Sequence, residues 1–137
     1  MSKLIKKVAL IGGGVIGGGW AARFLLNGLD VNVFDPSDSA ERSLNEMLSN
    51  AIHAYSQLTM APLLKPGKLS FFDSLEKAVQ DVEFIQESAP ERLELKLSIL
   101  NQIDRYAPET SLICSSTSGL KPSDLQAEMK HPERFMV

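Results

Sequence analysis

The chain has 137 residues, a formal net charge of −3 at pH 7 and a hydrophobic content of 44%, which suits one globular domain with a substantial core. Its basic residues are scattered, so we expect no binding surface for nucleic acid or for an anionic membrane. We also expect neither a signal peptide nor a membrane span, and therefore a cytoplasmic protein.

The first predicted element is a strand over 8–11, which leads directly into a glycine-rich loop. The pattern G-x-G-x-x-G falls on Gly12, Gly14 and Gly17, a spacing typical of dinucleotide-binding turns between a strand and a helix. The first glycine allows the tight turn, the second lets the backbone approach a pyrophosphate, and the third brings the helix close to the strand. A glycine-rich turn of another α/β protein is the alternative. The predicted cofactor contacts are Gly12, Gly13, Gly14, Val15, Ile16 and Gly17.

The second predicted strand ends at Asp35, about twenty residues after the glycine run, as the dinucleotide fingerprint requires. A carboxylate there accepts hydrogen bonds from the adenine-side ribose, whereas the 2′-phosphate of NADP would meet like-charge repulsion. The next residues, 36–39, include no arginine that could bind such a phosphate. NAD is therefore the predicted cofactor, with FAD left open because flavoproteins share the glycine pattern.

Two helices are predicted around this strand. Ile16, Trp20, Phe24 and Leu25 recur at helical spacing, which predicts a helix that ends at Gly28, and Trp20 is expected in the core. A capping pattern over 38–41 opens a second, longer helix. Its predicted apolar face consists of Leu44, Met47, Leu48, Ala51, Ile52, Tyr55 and Leu58.

The rest of the chain alternates strands and helices, which predicts a Rossmann-type α/β fold: a doubly wound, mostly parallel sheet with helices on both faces. We predict one NAD-binding domain over 1–137, ending within the sixth strand. Ligands bind outside the carboxyl ends of such strands, so the glycine loop, 87–91 and 115–118 should meet there. The single Cys114 is expected to be a core thiol, and no metal site is predicted. The later strands are predicted over 69–72, 82–86, 111–114 and 135–137.

Three further motifs, FIQESAPERLELK at 84–96, CSSTSGL at 114–120 and HPERF at 131–135, accompany the glycine run. With them, nearly the whole chain resembles the 3-hydroxyacyl-CoA dehydrogenase superfamily, and within it most closely the L-carnitine dehydrogenases. The L-gulonate 3-dehydrogenases share part of these motifs and are an alternative, as are the acyl-CoA enzymes themselves. The resemblance implies an NAD-dependent oxidoreductase that oxidises a CH–OH group of a small 3-hydroxy acid, such as the 3-hydroxyl of L-carnitine.

The resemblance also assigns site residues. Glu91 and Lys96 match positions that line the NAD site. Ser118 matches the serine whose hydroxyl meets the substrate hydroxyl and the nicotinamide, and it is the predicted catalytic residue. A serine can hold an oxygen that becomes a carbonyl, although by itself it is a poor base. A polar loop that closes the fifth strand is the alternative for 115–118.

The family's catalytic histidine would follow Val137, together with a helical domain that closes the substrate pocket and forms a homodimer. We therefore expect the 137-residue chain to lack its base and to be inactive alone. His131 precedes Pro132, which favours an extended loop, and no orienting carboxylate is evident. A stand-alone NAD-binding or redox-sensing module is the non-enzymatic alternative.

The stretch 43–64 bears on the substrate, because it contains neither lysine nor arginine. Enzymes that act on acyl-CoA must hold the phosphates of coenzyme A, which calls for basic side chains near the long helix. The stretch thus favours a small 3-hydroxy acid over an acyl-CoA.

Overall fold

The computed structural model describes residues 4–58, 62 and 64–137. Within these residues, six parallel strands form one sheet in the order β3-β2-β1-β4-β5-β6. This order confirms the predicted Rossmann-type, doubly wound fold. The strands are β1 (Lys7–Ile11), β2 (Asp30–Phe34), β3 (Leu69–Phe71), β4 (Phe84–Glu87), β5 (Leu112–Ser115) and β6 (Phe135–Met136). The helices are α1 (Val15–Leu26), α2 (Ala40–Leu58), α3 (Leu75–Val79), α4 (Leu93–Tyr106) and α5 (Pro122–Leu125), and a 3-10 turn covers Pro132–Arg134.

Alternate residues of β1 face opposite sides of the sheet, as the two-residue period of a strand requires. Ala9 and Ile11 pack in a buried cluster with α3, α4 and α5. Val8 and Leu10 pack in a second cluster with α1 and α2. The strand is apolar on both faces because helices cover both sides, the usual arrangement for a parallel sheet.

The strand order reverses between β1 and β4, which are neighbours in the sheet although β2 and β3 lie between them in sequence. Ile11 pairs with Glu87, and Glu87 pairs with Ser115, so the carboxyl ends of β1, β4 and β5 lie side by side. The three loops that the sequence singled out therefore leave the sheet at one edge, next to the switch point at which such folds bind ligands.

The prediction that Trp20 belongs to the core is wrong. The residue is 37% exposed, and its ring stacks on Phe24 with a centroid distance of 5.4 Å. Helix α1 turns glycine and alanine residues towards the sheet, which lets the helix approach closely. Phe24 is half-buried against Phe84 of β4, whereas the Trp20 ring stays exposed. The buried residues of α1 are Gly17, Gly18, Ala21, Ala22, Leu25 and Leu26.

Helix α2 is buried only in its first half, so the predicted apolar face is correct only in part. Leu44 is fully buried, whereas Ile52 is 45% exposed and Leu58 is 83% exposed. With 19 residues the helix is about 28 Å long, whereas a five-residue strand spans about 17 Å. The last turns of α2 thus reach past the strands. Among the described residues, no helix is long and apolar enough to cross a membrane.

Candidate functional site

A cleft of about 730 Å³ opens at the carboxyl edge of the sheet, between the glycine loop and the segment 88–91. Its volume lies in the range of sites for small molecules and cofactors. Gly13, Gly17 and Ser118 lie next to the cleft without lining it. The predicted site residues that line it are Gly12, Gly14, Val15, Ile16, Asp35, Glu91 and Lys96.

The three motif glycines have three different surroundings. Gly12 has a φ of +107°, and a Cβ there would lie 2.8 Å from the carbonyl oxygen of Ser88. A Cβ on Gly17 would lie 1.9 Å from the carbonyl oxygen of Gly12, so only glycine lets the helix pack on the turn. A Cβ on Gly14 would meet nothing within 4 Å, which leaves its backbone open to a ligand. A dinucleotide-binding loop requires a tight turn, close packing of the helix and an open stretch of backbone, and these three glycines provide them.

Asp35 follows β2 and lines the cleft, and it also holds the glycine loop. Its Oδ2 accepts a hydrogen bond of 2.6 Å from the N–H of Gly13, and its Oδ1 accepts one of 2.8 Å from the N–H of Ser37. Each carboxylate oxygen keeps further lone pairs for a ligand. Sequence reasoning predicted the ribose contact of Asp35 but missed its bond to the glycine loop.

Beneath the segment 88–91 lies a buried ion pair that sequence reasoning also missed. Glu87 is 0% exposed and Lys96 is 1% exposed. The ammonium of Lys96 donates hydrogen bonds to Glu87 Oε1, at 2.7 Å, and to the carbonyl oxygen of Ala89, at 2.9 Å. Lys96 therefore lies in the wall of the cleft, but its charged end faces the protein.

Glu91 connects the segment after β4 to the segment after β5. Its carboxylate accepts hydrogen bonds from the hydroxyl of Thr117 and from the N–H of Ser118, the latter at 3.3 Å. The hydrogen bond from Thr117 lowers the pKa of Glu91, which makes it a weak proton acceptor at neutral pH. Thr117 had no signal in the sequence beyond its place in the serine-rich run.

The three serines of this run have separate environments. Ser115 is buried, and its hydroxyl donates to Glu87 Oε2. The hydroxyl of Ser116 lies 2.8 Å from both Gln86 Nε2 and the Ser88 hydroxyl, and the residue lines the cleft. Ser118 is exposed at the rim, where its main chain is held by Glu91.

Neither histidine of the sequence lines the cleft. His53 is exposed on α2. His131 precedes β6, so it lies at the amino edge of the parallel sheet, opposite the cleft. Its Nδ1 is 3.5 Å from Glu133 Oε1, an orienting carboxylate that the sequence had not revealed. Within the described residues, no group of three or more His, Cys, Asp and Glu side chains could hold a metal ion.

Comparisons with known proteins agree with this geometry. The family model "3-hydroxyacyl-CoA dehydrogenase, NAD binding domain" matches residues 7–137. The chain is 61% identical over 133 residues to L-carnitine dehydrogenase/betainyl-CoA thioesterase of Rhizobium meliloti (strain 1021), covering 97% of this chain and 27% of that protein. It is 53% identical over 135 residues to L-carnitine dehydrogenase of Mesorhizobium japonicum, covering 98% and 37% respectively. A solved NAD+-dependent dismutase, 5-formyl-3-hydroxy-2-methylpyridine 4-carboxylic acid 5-dehydrogenase, superposes with a TM-score of 0.86 at 32% identity, covering 96% of this chain and 43% of that one.

The chain thus spans well under half the length of the relatives it matches. The match to the family model extends over almost all of its residues, and the matched unit is an NAD-binding domain. This confirms NAD as the cofactor and sets aside the flavin alternative. The chain belongs to the 3-hydroxyacyl-CoA dehydrogenase family and is its NAD-binding domain.

Proposed function

We propose that residues 1–137 form the NAD-binding half of an NAD-dependent dehydrogenase that oxidises the 3-hydroxyl of L-carnitine to 3-dehydrocarnitine. The observation that carries this proposal is the cleft in which the glycine loop and Asp35 face the segments 88–91 and 115–118. Two relatives that are more than half identical over this domain are named L-carnitine dehydrogenases. When bound, NAD supplies the acceptor for the hydride that leaves the substrate carbon.

Different residues of the cleft contact different parts of NAD and of the substrate in this proposal. The glycine loop, 12–17, directs N–H groups of the loop and of the first turn of α1 at the pyrophosphate. Asp35 accepts hydrogen bonds from the adenine-side ribose. Glu91 and Lys96 belong to the wall that faces the nicotinamide half, and the Ser118 hydroxyl donates to the substrate oxygen as it becomes a carbonyl.

The proton acceptor and the rest of the substrate pocket belong, in this proposal, to a helical domain after Val137. The low pKa of Glu91 and the positions of both histidines support a base from outside 1–137. We propose that the longer protein dimerises through that domain and is cytoplasmic. The absence of lysine and arginine from 43–64 supports a small 3-hydroxy acid as substrate rather than an acyl-CoA.

The cofactor preference provides the first test. Calorimetric titration of residues 1–137 should show tighter binding of NADH than of NADPH. Asp35→Asn should reduce this difference, because it removes the charge that repels a 2′-phosphate and keeps an oxygen acceptor for the N–H of Gly13. Asp35→Ala removes both the charge and the oxygen acceptor, so it should also weaken NADH binding. Equal affinities of the unchanged chain for the two cofactors would contradict the role of Asp35.

Catalysis provides the second test. Residues 1–137 alone should form no NADH from L-carnitine and NAD+ above background, because neither histidine lines the cleft and the pKa of Glu91 is lowered. The same chain extended through the following helical domain should be active, as measured by NADH absorbance. Turnover by 1–137 alone at an ordinary enzymatic rate would mean that a group within this domain is the base. An extended protein that binds NADH but leaves L-carnitine unreacted would contradict the proposed substrate.

A further inference from the structure

Glu87 is fully buried at the carboxyl end of β4, beside the switch point of the sheet. Its Oε1 accepts hydrogen bonds from the ammonium of Lys96, at 2.7 Å, and from the N–H of Ala89, at 2.6 Å. Its Oε2 accepts from the hydroxyl of Ser115, and its main-chain oxygen accepts from the N–H of Ser116 at 2.8 Å. One carboxylate thus connects β4, β5 and α4.

Stability alone does not explain a buried ion pair at this point, because desolvation offsets most of the attraction and apolar side chains of similar volume often serve as well. Apolar side chains could not bind the N–H of Ala89, the carbonyl of Ala89 and the hydroxyl of Ser115 together. These bonds fix the start of two segments: 88–91, whose four residues line the cleft, and 115–118, of which Ser116 lines it. The pair is therefore suited to setting the path of both segments.

The sheet order indicates which half of the cofactor these segments face. Asp35 and the glycine loop, on the side of β1 and β2, serve the adenine ribose and the pyrophosphate, whereas β4 and β5 lie on the other side of β1. We propose that Glu87 is a positioning residue for the nicotinamide half of NAD, acting through Lys96 and Ser115 on the segments 88–91 and 115–118. This inference rests on the proposed placement of NAD in the cleft.

The test compares two ligands on residues 1–137. ADP contains the adenine ribose and the pyrophosphate but no nicotinamide, so it reports on the glycine loop and Asp35 alone. The double variant Glu87→Leu/Lys96→Met removes both charges and leaves no buried ion unpaired. In calorimetric titrations we expect its Kd for NADH to rise roughly tenfold or more, the effect of losing about one hydrogen bond. Its Kd for ADP should stay within about twofold of that of the unchanged chain.

A second buried ion pair provides a matched control. Arg134 donates to Asp104 Oδ1 at 2.8 Å, and both side chains are about as buried as those of Glu87 and Lys96, but the pair lies at the amino edge of the sheet, away from the cleft. Asp104→Leu/Arg134→Met should lower the melting temperature without changing the ratio of the Kd values for NADH and ADP. A change of that ratio in the control would mean that any buried pair has this effect, and would overturn the inference.

Other outcomes are equally decisive. If Glu87→Leu/Lys96→Met binds NADH as tightly as the unchanged chain, or loses NADH and ADP binding in equal proportion, Glu87 has only a structural role. If the double variant does not fold, Ser115→Ala replaces it, because this substitution removes the bond from Ser115 to Glu87 without creating a new buried charge. A rise in the Kd for NADH relative to the Kd for ADP would then support the inference, and an unchanged ratio would overturn it. If the unchanged chain binds neither ligand, the proposed NAD site itself fails, which is a different result.

Discussion

Gly14→Ala should weaken NADH binding by residues 1–137 about a hundredfold without unfolding them, whereas Gly17→Ala should destabilise the fold itself. A methyl group on Gly14 meets no protein atom within 4 Å, but it occupies the open space through which the pyrophosphate reaches the loop N–H groups. Two charge-assisted hydrogen bonds lost there account for a change of this size.

A methyl group on Gly17 would lie 1.9 Å from the Gly12 carbonyl oxygen, an overlap with a backbone group. We expect a loss of about 3 kcal/mol or more in the free energy of unfolding.

Calorimetry with NADH and thermal unfolding separate these two effects. Gly19→Ala is the matched control, because its Cβ also meets nothing within 4 Å and the residue does not line the cleft. It should leave NADH affinity unchanged and should stabilise α1 slightly, since alanine favours a helix. Normal NADH binding by Gly14→Ala would mean that the pyrophosphate does not approach this backbone. A normal melting temperature for Gly17→Ala would mean that helix and turn are less tightly packed than the structure has them.

Ser118→Ala should lower kcat and kcat/KM by roughly ten- to a thousandfold in the protein extended past Val137, the range for a hydrogen bond that strengthens in the transition state. Ser118 is exposed at the rim of the cleft, and its main chain is bound to Glu91. The substitution leaves that N–H in place. NADH affinity should therefore change far less than kcat.

Steady-state kinetics with L-carnitine and NAD+, together with NADH titrations, provide this measurement. Ser116→Ala is the comparison, because Ser116 lines the cleft but its hydroxyl is already bonded to Gln86 and Ser88. If Ser118→Ala kept full turnover while Ser116→Ala abolished it, the wrong serine has been assigned to the substrate oxygen. If both variants kept full turnover, the donor to that oxygen lies outside 115–118.

The fold followed from local signals in the sequence. Apolar runs of strand length, capping patterns and the alternation of strands with helices were sufficient for the sheet and for the edge at which its loops meet. The glycine surroundings followed as well, because each position of the motif has its own steric demand. Trp20 was placed wrongly because helical spacing shows that a row of apolar residues shares a face, not that this face is the buried one. In α1 the buried side consists of glycines, alanines, Leu25 and Leu26.

Contacts between distant residues were beyond sequence reasoning. Glu87 and Ser115 are 28 residues apart, and they meet because the register of β4 and β5 pairs them. The bond between Asp35 and the Gly13 N–H, and that between Thr117 and Glu91, also depend on how neighbouring strands end. A motif fixes which residue types are present at a site, whereas the sheet register determines which of them touch.

The outward placement of Trp20 has an optical consequence. It is the only tryptophan of the chain, so all indole emission comes from one known position. It lies one helical turn after Ile16, which lines the cleft, and stacking on Phe24 holds its ring. Reduced nicotinamide absorbs light in the range in which indole emits, so we expect excitation energy to pass from the Trp20 ring to NADH bound in the cleft. The fluorescence of Trp20 should therefore fall when NADH binds and fall less when NAD+ binds, which distinguishes the two forms of the cofactor without an added label.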